Sequence, residues 1–144
     1  MNLKQGIIKI GGEKIFPGYT FEDFKKSEFF ENQDGIKVIY LKDSNLIGEN
    51  HFIVSLTFLN NRIYMVSLFC NDYNIDFLEE QKRKEIHDRI LADWGLRECN
   101  IFDWGTIKSN FDTKGNVSSV NIVYKNNWLF YFTARGGYEW KWIK

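Results

Sequence analysis

Two alternating runs meet at Asn60-Asn61, and that meeting constrains the fold more than any other feature of the chain. In His51–Leu59, Val54, Leu56 and Phe58 alternate with Ile53, Ser55 and Thr57, and Arg62–Phe69 follows directly. A period of two marks a strand with one buried face. Asn tolerates the positive φ that a two-residue hairpin turn demands. An antiparallel sheet with one apolar and one mixed face is therefore required.

Other elements arrange themselves around this hairpin. Gly11-Gly12 lies between two short apolar runs in Gly6–Phe16 and predicts a first hairpin. After Pro17-Gly18, Thr20 with Asp23 three residues on reads as a capping box, opening a short helix that presents Phe21 and Phe24 on one face. Gln33-Asp34-Gly35 reads as a turn before a strand over Ile36–Leu41, and Lys42–Asn50 reads as a polar loop. A longer helix is expected from Asp76 as cap, with Glu79 and Glu80 in its first turn and Gly95 past its end. Its apolar stripe is Ile86, Ile90 and Trp94, with Leu91 beside them. Strands follow over 100–104, 106–111, 117–125, 128–135 and 138–143, turning at 112–116, Asn126-Asn127 and Gly136-Gly137.

The expected fold is α+β: an antiparallel sheet meander packed by one long and one short helix, in a single domain over residues 1–144. The halves 13–70 and 76–135 share a plan of helix, strands and an Asn-Asn turn between the last pair. Either an αβββ unit is duplicated or these are the echoes of any α+β domain built from hairpins.

Composition removes several functional classes. The 144 residues hold 19 basic and 19 acidic side chains, for a formal charge of zero. Such a balance argues against a general nucleic-acid binder, whose affinity comes from neutralising phosphates. Aromatic residues make up 17% of the chain, which excludes disorder. No apolar run approaches the roughly 20 residues a membrane-spanning helix needs. Residues 1–10 lack the apolar core of a signal peptide, so a cytoplasmic location is expected. There, Cys70 and Cys99 are expected as reduced, packed thiols rather than a disulfide.

Catalytic patterns are weak throughout. His51, His87, Cys70 and Cys99 show none of the spacings of a structural zinc site, and Asn71–Asp76 lacks the glycine of a calcium loop. His87 and Asp88 are adjacent on a helix and diverge by about 100°, so neither can orient the other; a half-buried helix histidine is expected. Gly11-Gly12 and Gly136-Gly137 open no helix and make no phosphate cradle. The acidic pairs Glu22-Asp23 and Glu79-Glu80, and Asp72 with Asp76, sit at helix starts where the dipole accounts for them. No cofactor and no metal is expected.

The densest signal is aromatic and C-terminal. Trp128, Phe130 and Phe132 alternate along one strand, and Tyr138, Trp140 and Trp142 along the next. Two readings follow: a sheet face packed on the long helix, or a partner-binding face, since Trp, Tyr and Arg dominate binding hot spots. The candidate partner-binding residues are Trp104, Arg135, Tyr138 and Trp140.

Gly18-Tyr19-Thr20-Phe21-Glu22-Asp23-Phe24 after Pro17, followed by a three-strand run, resembles tandem helix-plus-sheet inhibitors of the β-lactamase inhibitor protein class. Lys84-Glu85-Ile86-His87-Asp88, and Trp104-Gly105 with Ser109 and Asp112, look like segments of families that accompany bacterial toxin genes as immunity proteins. The likeness covers about half the chain and carries no functional residue over. It implies a non-catalytic protein that blocks one cognate toxin or enzyme. The alternative is a small-molecule-binding or enzymatic domain with an aromatic pocket between helix and sheet.

Overall fold

The structure, a computed structural model, describes residues 1–72, 79–125, 128–132 and 138–142, the last two stretches through their strand pairing. It is α+β: among the described residues, mostly antiparallel sheet with two α-helices. Strands β1 (Ile8–Ile10) and β2 (Glu13–Ile15) pair across Gly11-Gly12, as expected. Helix α1 (Phe21–Lys25) follows, then β3 (Val38–Tyr40), β4 (Asn45–Ile47), β5 (Asn50–Leu59) and β6 (Arg62–Cys70). Helix α2 (Glu80–Asp93) leads into β7 (Cys99–Phe102), β8 (Gly105–Asp112) and β9 (Val117–Tyr124). Strands β10 (Trp128–Phe132) and β11 (Tyr138–Trp142) end the series.

Seven strands form one antiparallel sheet in the order β3-β5-β6-β9-β8-β7, with β4 also paired to β5. Each α-helix is thus followed by a meander, and the two meanders join through their last strands, β6 and β9. Register explains the core. Phe52 faces Cys70, Val54 faces Leu68, and Val66 faces both Leu56 and Ile122. All of these side chains are buried to within 1% of full burial. The other face pairs Ser55 with Ser67, and Ser67 with Asn121, whose Oδ1 accepts the Ser67 hydroxyl at 2.9 Å.

The expected hairpin at Asn60-Asn61 is present, with φ of 50° and 63° at the two residues. Thr20 caps α1 through a full capping box, its hydroxyl accepting Asp23 N–H at 3.1 Å while Asp23 accepts Thr20 N–H at 3.0 Å. Phe21 and Phe24 then set their rings 5.4 and 5.8 Å from Phe58, holding α1 on the apolar face of the sheet.

Four expectations are corrected. The segment 42–50 is not all loop, because Asn45–Ile47 pairs with Asn50–Phe52 as β4. Helix α2 begins at Glu80, and Asp76 lies outside the described residues. Cys70 is packed as expected, whereas Cys99 is exposed; both are free thiols. Finally, the strands expected to pair across Asn126-Asn127 are not partners: β9 pairs with β8 and β6, and β10 with β11, while Asn126-Asn127 themselves lie outside the described residues. No helix among the described residues is long and apolar enough to cross a membrane.

Candidate functional site

Strands β10 and β11 form a two-stranded sheet of their own. Trp128 faces Trp142, Phe130 faces Trp140, and Phe132 faces Tyr138. With a side-chain period of two, these six positions fall on one face of the ribbon, while Leu129–Lys141 and Tyr131–Glu139 occupy the other. Two of the candidate residues, Tyr138 and Trp140, hold register positions of this set. Arg135 lies in the connection between the strands, outside the described residues.

Trp104 is placed elsewhere. It sits in the β7–β8 turn, its ring stacked on Phe102 at 5.3 Å and 8° and lying 5.3 Å from Tyr124. Its Nε1–H donates to the Lys4 carbonyl at 2.9 Å. Gly6 makes this approach possible, since it has φ +77° and a Cβ there would stand 2.7 Å from the indole. Tyr124 completes the join, its hydroxyl donating to the Gly6 carbonyl at 2.8 Å. The Trp104 indole is engaged within the chain, fastening the N-terminal turn to the sheet.

Helix α2 packs on β6, β8 and β9. Its buried face comprises Glu80, Arg83, His87, Ile90 and Leu91 rather than the apolar stripe alone. Ile86 and Trp94 are only partly buried. Glu80 accepts the Ser118 backbone N–H at 3.1 Å, and its own carbonyl accepts the Ser118 hydroxyl at 2.6 Å. Arg83 Nε lies 3.5 Å from the Glu80 carboxylate, and its guanidinium rests 3.7 Å from the centre of the Phe69 ring. His87 is not half-buried but fully buried, its Nε2 accepting the Cys70 N–H at 3.0 Å. Burial first, then the nearby Arg83 cation, lowers its pKa to about 4. A neutral imidazole whose Nε2 accepts must carry its proton on Nδ1.

Outside this seam, Asp72 accepts from the His51 backbone N–H at 2.9 Å, the His51 ring at 2.8 Å and the Asn50 amide at 3.0 Å. Desolvation raises its carboxyl, but these hydrogen bonds prevail and hold it below the usual carboxylate range. A cleft of about 410 Å³ lies between α1, residues 34–37 and the β5–β6 turn, over the rings of Phe21 and Phe58. Lys25 stands at its side, bridging Glu22 at 3.5 Å and Asp34 at 3.3 Å. Sequence reasoning did not find the seam, and it named an aromatic pocket between helix and sheet only as an alternative, without the residues of this cleft. The pattern Glu80-x-x-Arg83-x-x-x-His87 at helical spacing was the available signal for the seam.

Comparison with known proteins gives no family: no family model matches the chain, and no curated protein or solved structure matches it.

Proposed function

We propose that the chain is a non-catalytic protein-binding module, acting as an inhibitor or immunity protein that occludes a cognate toxin or enzyme in the bacterial cytoplasm. The register of β10 and β11 carries this reading. It gathers Trp128, Phe130, Phe132, Tyr138, Trp140 and Trp142 on one face of a ribbon separate from the seven-stranded sheet. A two-stranded ribbon is marginally stable alone in water, so a face of this composition gains from being covered. Trp and Tyr are the residues that concentrate binding energy at interfaces, and Arg135 in the connecting stretch suits a polar rim. Inhibition here is steric. The ribbon face seats on the partner, the partner's active site is covered, and no bond is made or broken in this chain.

The test is capture of a partner by the tagged protein from its own host, with Trp140→Ala as the control. The proposal expects one protein at equal molar ratio with the wild type and none with the variant. A partner held equally by both would refute the ribbon's role.

A further inference from the structure

We infer that the open edge of β3 is a docking site for an extended segment of a partner protein, which joins the sheet as an eighth strand. This inference stands independently of the ribbon, since it concerns an edge of the seven-stranded sheet and rests on backbone geometry.

Among the described residues, strand β3 ends the strand order, with β5 as its neighbour on one side only. The direction of its backbone groups follows from two hydrogen bonds: Leu41 N–H donates to Val54 O, and Phe58 N–H donates to Lys37 O, both at 2.9 Å. Residues 37, 39 and 41 therefore turn their peptide groups toward β5, and Val38 and Tyr40 turn theirs toward the open edge. The side chains beside that edge are apolar and exposed: Ile36 at 51%, Val38 at 45% and Tyr40 at 70%. Val38-Ile39-Tyr40 carries no proline, bulge or charge of its own, while its three-residue length and the flanking Lys37 and Lys42 guard it against indiscriminate pairing and favour a partner that answers those charges. Main-chain hydrogen bonds to such an edge give affinity, and alternate side-chain contacts give specificity.

Two further features define the occupant. Lys37 and Lys42 are exposed at the two ends of the edge, so the added strand fits best with an acidic residue at each end and apolar residues alternating between them. The cleft over Phe21 and Phe58 opens where β3 begins, with Ile36 and Lys37 in its wall. Lys37 lies on the sheet face opposite Val38, the face on which Phe58 and α1 pack. A residue of the added strand opposite Lys37 shares that face and enters the cleft. That residue is the acidic one set opposite Lys37 in the cleft wall.

A displayed library of random peptides about ten residues long, the upper range for a strand, selected against the whole protein, tests this. Enriched peptides are then measured on the wild type, Val38→Pro and Tyr40→Lys. Proline at position 38 removes an outward N–H that an edge strand can lose. Lysine at position 40 leaves every backbone group in place, and so decides the question if the proline variant fails to fold. The expected result is enrichment of alternating apolar peptides with acidic ends, bound roughly tenfold more weakly by Val38→Pro, about the worth of one hydrogen bond, and also more weakly by Tyr40→Lys, which loses the apolar contact of the ring. No enrichment, or peptides that bind both variants as they bind the wild type, overturns the inference. A concentration-dependent dimer of the wild type that Tyr40→Lys abolishes also overturns it, because the edge would then belong to a second copy of the chain.

Discussion

His87 accepts the Cys70 N–H deep beneath α2, and an imidazolium cannot accept. Folding must therefore exclude the proton. The folded-state pKa of about 4 lies below the ordinary value of 6.5, so the unfolded chain binds the proton more readily. His87 thus contributes its full stability above about pH 6.5, loses it as the pH falls toward 4, and the loss levels off below that. The span corresponds to about 3 kcal/mol. Thermal melts between pH 7 and pH 4.5 should show this decline, and His87→Gln, which keeps an acceptor without a titrating ring, should flatten it. A parallel decline in the variant would place the acid sensitivity elsewhere. Trp104 belongs to the same scale. Its stack on Phe102 and Tyr124 and its bond to Lys4 predict that Trp104→Ala lowers unfolding free energy by about 3 kcal/mol in denaturant titration.

Elements differ in how legibly the sequence encodes them. Thr20 and Asp23 predict the start of α1 correctly because a capping box is local chemistry, complete within four residues. Thr20→Ala should cost about 1 kcal/mol, read as a shift of the denaturation midpoint. The β5–β6 hairpin is legible for the same reason, with its turn residues and its period both in view. Helix α2 is legible as a helix but not in the face it buries. Hydrophobicity points to Ile86, Ile90 and Trp94, whereas Glu80, Arg83 and His87 are buried where partners distant in sequence meet them: Ser118 bonds Glu80, the Phe69 ring lies against Arg83, and the Cys70 N–H donates to His87. Such pairings are invisible before the fold is known. Glu80→Ala would deprive both the Ser118 N–H and Arg83 of the carboxylate, and should cost about 3 kcal/mol in chemical denaturation. Strand β4 was hidden by its brevity, three residues in a polar stretch whose pairing depends on β5. The C-terminal alternation, by contrast, was plain in the sequence. The pairing adds that the alternating positions of both strands share a face in a separate sheet.

At the scale of the whole molecule, the seven-stranded sheet sets α1 and α2 on its apolar face, while the paired aromatic positions of β10 and β11 belong to another sheet. The central claim is that this ribbon is a contact surface for one protein. The most direct measurement is the mass and stoichiometry of what co-purifies with the tagged protein from its own host, for wild type and Trp140→Ala in parallel, with melting temperatures recorded for both. The account predicts a single equimolar partner for the wild type, its loss in the variant, and melting temperatures that agree to within what about 1 kcal/mol would shift. A wild-type protein that purifies alone, or a variant that melts far lower because the ribbon is part of the core, would contradict it.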